Sequence, residues 1–161
     1  MSTYDRRIRP GSTARTGRTP AQWAATGVAG VFLLVGVLGF VPGVTTDLGQ
    51  LDVAGHESGA QLLGIFQVSV LHNVVHLAFG AIGVVAARSH RSSCGFLVGS
   101  GVVYLVLWLY GTVVGHDSTA NFVPLDGADN WLHLLLGAGM LGLGLLLGRD
   151  QDDRGRRPEA R

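Results

Sequence analysis

The sequence predicts an all-α integral membrane protein, a four-transmembrane-helix bundle built from two parallel helical-hairpin repeats. Three observations carry this reading: charge is confined to short segments, arginine and acid alternate from loop to loop, and the second half of the chain repeats the first. Only 14% of the 161 residues are charged, where a soluble domain usually carries about a quarter. Thr19 to Thr46, Ser58 to Ala87, Ser92 to Gly115 and Asn130 to Gly148 contain no Asp, Glu, Lys or Arg. Each run is close to or above the ~20 residues needed to cross a hydrocarbon core of ~30 Å.

The elements follow in order. An Arg-rich tail, residues 1–19, is too polar to bury a core and is expected to be disordered. The first helix, near 21–41, starts after Pro20 and exits at Pro42. A cleavable signal peptide is the competing reading of this run. The run is longer than a typical h-region and no A-x-A-like site follows "GFVPGVTTD", so it is read as a retained helix. Further helices are expected near 60–87, 94–115 and 129–148, which closes a transmembrane domain over 20–148. Residues 149–161, "RDQDDRGRRPEAR", form a second polar tail.

Charge sets the orientation. Arg6, Arg7, Arg9, Arg15 and Arg18 precede the first helix, Arg88 and Arg91 sit between the second and third, and five more arginines follow the fourth. The other two loops carry only acids: Asp47, Asp52 and Glu57, then Asp117, Asp126 and Asp129. The positive-inside rule puts both termini and the middle turn in the cytoplasm, with the chain in the plasma membrane. Net charge of +1 gives no reason to expect nucleic acid. The expected partner is the lipid bilayer, with a homo-oligomer or another membrane protein as the open protein partner. Cys94 is the only cysteine and forms no internal disulfide.

The repeat appears when the acidic loops are aligned. "HESGAQLL" from His56 answers "HDSTANFV" from His116, and "HNVVHLAFGAIG" from His72 answers "DNWLHLLLGAGM" from Asp129. Helices one and three are then equivalent, as are two and four. An even number of crossings per half makes the repeats parallel about an axis along the membrane normal. The blocks "RTPAQWAA", "VFLLVGVLGF", "QLLGIFQVSVLHNVVHLAFG", "VVYLVLWLYG" and "STANFVPLDGADNWLHLLLGAGM" resemble those of a family of small four-helix membrane proteins, mostly actinobacterial, catalogued as a domain of unknown function. The resemblance spans roughly Arg18 to Gly148. It implies the fold and brings no activity, substrate or cofactor.

At ~100° per residue, Ser69, His72, Asn73, His76, Gly80 and Gly83 share one face of the second helix, and Asn130, His133, Gly137, Gly144 and Gly148 share one face of the fourth. The third helix adds Gly101, Tyr104, Trp108, Gly111 and Thr112. Small and polar residues on one face mark a helix–helix interface. Asn73, His76, Asn130 and His133 are therefore read as a structural polar core, hydrogen-bonded across the bundle. Counting back from Arg88 and Arg149 at 1.5 Å per residue puts His76 ~18 Å and His133 ~24 Å from the cytoplasmic boundary, about one helical turn apart. No carboxylate is expected at their depth.

Two alternatives attach to the same residues. His76 and His133, with His72, would bind b-haem or a transition metal, although no resident cofactor is the first expectation. A proton or solute path is the other, weakened by the lack of polar residues between His76 and Arg88. No paired carboxylate, Ser-His-acid set or phosphate-cradling glycine loop suggests an enzyme. In the outer loops, His56, Glu57, His116 and Asp117 would make a metal set if the repeats brought them together. Helix capping by Ser58 and Ser118 is the preferred explanation, because it accounts for the Ser and amide positions as well. Asp129 is expected to cap the fourth helix. Trp23, Trp131 and Tyr110 read as interfacial anchors, and Gly95 with Gly99 as close packing within the bundle.

Overall fold

A computed structural model describes residues 17–55, 57–114 and 127–155. Four helices form a bundle: α1 Pro20–Leu38, α2 Val70–Ala86, α3 His90–Val113 and α4 Gly127–Gly155. Three of them, α1, α3 and the Gly127–Arg149 part of α4, are long and apolar enough to span a bilayer, while α2 is a shorter apolar helix. Large side chains such as Ile82, Val106, Leu135 and Leu146 point away from the bundle and are more than half exposed. A soluble protein would not show water so much contiguous apolar surface. The chain is an all-α membrane bundle.

Each helix begins on a chemical signal. Thr19 caps α1 in a full capping box, its side chain accepting from the Gln22 backbone while Gln22 reaches back to Thr19 N, with Pro20 next. Ser69 caps α2 by accepting from His72 N, and Ser89 caps α3 by accepting from Ser92 N. The Ser89 cap starts α3 at His90, four residues before the predicted start. Gln22 also donates to the Ala87 and Arg88 carbonyls, and His90 pairs with Thr19 Oγ1, so the ends of α1, α2 and α3 are tied together.

The predicted second helix, 60–87, is corrected at its first turns. Residues before Val70 form a small antiparallel sheet instead: β1 Thr45–Thr46, β2 Gln61–Leu62 and β3 Phe66–Gln67, in the order β1-β2-β3. Leu63 and Gly64 both adopt left-handed backbone between β2 and β3, a tight hairpin turn that a helix cannot contain. Ser58 does not open a helix either. Its buried hydroxyl donates to the Val68 carbonyl and accepts from Asp52 N, pinning the loop to the entrance of α2. At the other end of the chain, α4 runs on to Gly155 past its predicted end at 148, because no proline intervenes and arginine is favourable at a helix C-terminus. The rest of the predicted tails, with Ser118, lies outside the described residues.

The helices pack most closely as two hairpins, α1 with α2 and α3 with α4. The two follow one pattern. Gly80 of α2 sits on Leu33 of α1, and Gly137 of α4 sits on Leu105 of α3. Asn73 lies against Gly39, and Asn130 lies against Gly111. Aromatic-Leu-x5-Gly, Phe32 to Gly39 and Tyr104 to Gly111, is thus the first-helix half of the repeat. One apolar cluster, including Phe32, Phe96, Leu97, Tyr104 and Met140, fills the half of the bundle nearer the termini. A second, with Ala60, Leu62 and Val68 against Val35 and Leu38, fills the loop end.

Candidate functional site

Between these clusters lies a layer of rings where the hairpins meet. The faces predicted to be polar turn inward: Ser69, His72, Asn73 and His133 are buried and His76 is half-buried. His76 Nδ1 lies 3.0 Å from the His72 carbonyl, and His133 Nδ1 lies 2.6 Å from the Asp129 carbonyl. A carbonyl only accepts, so each Nδ1 carries the proton and each Nε2 presents its lone pair to the interior. The two bonds are the same bond in the two repeats. Tyr104 Oη is 3.2 Å from His76 Nε2 and must therefore donate to it.

Aromatic packing completes the layer. Phe32 meets His76 edge-on at 5.7 Å, and its repeat equivalent Tyr104 lies over His133 at 4.7 Å. Phe32 also touches Tyr104, Phe79 and Phe96. Tyr104 is thus the bridge. It packs on the imidazole of its own hairpin and donates to that of the other. Toward the termini, Gly83 packs on Phe96 and Ala29, and Gly144 on Val98, leaving an apolar floor.

His76 and His133 both contact Tyr104. A carboxylate lies one helical turn, about 6 Å, from His133 along α4. Asp129 is buried in the first turn of α4, two residues inside the helix and so not its cap. It occupies the place in the second repeat that His72 holds in the first, as the alignment of "HNVVH" with "DNWLH" implies.

The asparagines also differ from expectation. Both amide atoms of Asn73 and Oδ1 of Asn130 are buried without a hydrogen-bond partner among the described residues. They act as wedges against Gly39 and Gly111, where a larger residue on the facing helix would leave no room. Gly95 and Gly99 are exposed with no described atom near a notional Cβ, so they do not pack within the bundle. Trp23 and Trp131 are 63% and 69% exposed near opposite ends, with the Arg18 guanidinium 5.5 Å over Trp23. This suits interfacial anchoring.

His72 stacks on His76 with ring centroids 4.3 Å apart and planes 11° apart. Cavities flank the layer on two sides. One, about 370 Å³, opens between α2 and α3 and reaches His72, His76, Tyr104 and His133. The other, about 310 Å³, lies between α1 and α4, reaches Asp129 as well, and is bordered by Leu62, Leu63 and Phe66 of the β2–β3 hairpin.

Tyr104 donates to the Nε2 lone pair of His76 and packs over the His133 ring. Among the described residues, no group of three or more His, Cys, Asp or Glu stands in metal-holding geometry. Of the outer-loop metal set, His56, His116 and Asp117 lie outside the described residues, and Glu57 is exposed. Phe32 escaped the sequence reading altogether; its signal was the aromatic-Leu-x5-Gly spacing shared with Tyr104.

No curated protein and no solved structure matches the chain. A family model described as Domain of unknown function (DUF4383) matches residues 22–146, from the first turn of α1 into α4, and so includes the sheet and the ring layer. The chain belongs to this family.

Proposed function

We propose that this membrane protein is a small structural or interaction protein, whose ring layer locks two helical hairpins into one rigid unit in the plasma membrane. The observation that carries the reading is the Tyr104 Oη to His76 Nε2 bond, which joins α3 to α2 across the hairpin boundary. In lipid there is no hydrophobic force between helices, so packing and such cross-helix bonds hold the hairpins together. Arginines at both tails and in the α2–α3 turn favour a cytoplasmic location for those segments, and the sheet then faces outside. A proton or solute path is less well supported, because below the rings Phe96, Ala29 and Val98 are apolar and the Ser93 hydroxyl is taken up by the Ala86 and Ser89 carbonyls, which leaves Ser100 as a lone buried hydroxyl among the described residues there.

The test is an ultraviolet–visible spectrum with metal analysis, on protein purified in mild detergent from a haem-competent host, beside His76→Ala and His133→Ala. The expected wild type is colourless and metal-free, and both variants lose thermal stability. A Soret band or stoichiometric metal, lost in the variants, would replace this reading with a redox or metal protein.

A further inference from the structure

The layer described above uses His76, His133 and Tyr104 for packing and leaves one group over. His72 is 8% exposed, and its hydrogen bonds run through its backbone: N donates to Ser69 Oγ and O accepts from His76 Nδ1. No described residue hydrogen-bonds its imidazole. A neutral imidazole carries one donor and one acceptor, and an apolar guest would leave both unpaired. The ring borders both cavities beside the layer. His133 Nε2, its proton placed on Nδ1, adds a second acceptor to the same space.

The rest of the larger cavity restricts what could pair with them. Its walls are Phe32, Phe79, Leu71, Val75, Val103 and Leu107, with no charged side chain, so a charged ligand would be desolvated without compensation. Leu71, Val75 and Val103 are each more than a third exposed on the outer surface of the bundle, so the mouth opens toward lipid. The stacked His72 and His76 rings and the nearby phenyl rings favour a flat aromatic guest. A volume of about 370 Å³ is within the range of small-molecule sites.

We infer that the cleft between α2 and α3 is a binding site for a neutral, membrane-dissolved quinone or quinol, its ring among the aromatic side chains and its oxygen paired with His72. The unfixed tautomer of His72 suits both forms: the N–H donates to a quinone carbonyl, and the bare nitrogen accepts from a quinol hydroxyl. This goes beyond the packing role, since His72 takes no part in the bond between hairpins.

The experiment titrates menadione into the full-length protein in lipid nanodiscs and follows tryptophan quenching and thermal stability. The hydrocarbon 2-methylnaphthalene is the matched probe without oxygens. Menadione is expected to bind saturably and raise the melting temperature, and 2-methylnaphthalene to bind about tenfold more weakly. His72→Leu should reduce menadione affinity by about the same factor and leave the hydrocarbon unaffected. Val103→Trp fills the mouth from α3 without touching His72, and should abolish binding of both while the protein stays folded. Absence of saturable menadione binding, equal affinity for the two probes, or full affinity in either variant would overturn the inference. The packing role of Tyr104 and His76 would stand in each of those cases.

Discussion

At the residue scale, the bundle depends on where backbones approach closely. A Cβ on Gly101 would lie 2.6 Å from Leu141 N and 2.9 Å from the Gly137 carbonyl, both backbone atoms that cannot swing aside. Gly101→Ala is therefore expected to destabilise the α3–α4 hairpin by about 1–3 kcal/mol, as overpacking does. Gly99→Ala, one position in the same helix with open space around it, should be neutral or slightly stabilising. Thermal melts of the pair in detergent check this, and equal losses would contradict the packing. Asn73 gives the opposite sign. Its amide is buried without a partner among the described residues, so Asn73→Leu, similar in size and branching, should keep or raise stability by about 1 kcal/mol. A marked loss would mean that the amide has a partner.

At the element scale, α2 is held by its entrance. Its 17 residues span about 25 Å, less than the ~30 Å hydrocarbon core. Ser69→Ala removes the cap from His72 N and should cost about 1 kcal/mol, with faster amide exchange at His72 and Asn73 than at Gly80. Uniform exchange along α2 would count against a cap-limited end. This is also where the sequence was least legible. The apolar run from Ser58 to Ala87 satisfies a helix by length and hydropathy, and nothing in periodicity separates its first ten residues from a buried strand pair. The decisive signal is local, at "LLGIF", where Leu63 and Gly64 turn with positive φ. The polar faces of α2 and α4 were legible because a 3.6-residue period fixes a face regardless of partner, whereas depth and pairing depend on how the helices slide against one another.

At the scale of the whole molecule, the two hairpins share one design with one deliberate-looking difference. Phe32 faces His76 in the first, Tyr104 faces His133 in the second, and only the tyrosine carries the hydroxyl that crosses between them. Orientation in the membrane is testable on the same unit. With Cys94 replaced by Ser, an impermeant maleimide on intact cells should label Gln61→Cys in the sheet and leave Arg91→Cys unlabelled until the cells are lysed. Labelling in the reverse order would contradict cytoplasmic termini. The repeat itself was visible in the sequence, but its meaning was only half visible. "HNVVH" against "DNWLH" marks the equivalent histidines, while the aromatic partners sit on helices whose own repeat is almost wholly apolar.

The most direct test of the ring layer as the lock between hairpins is a double-mutant cycle on Tyr104→Phe and His76→Leu, read by unfolding free energy in detergent micelles. Tyr104→Phe removes only the hydroxyl, so the cycle isolates the bond between α3 and α2. A coupling of about 0.5–1 kcal/mol between the two substitutions is expected for a hydrogen bond inside a membrane bundle. Strictly additive effects, or a Tyr104→Phe variant as stable as the wild type, would show that the hairpins are held by something else.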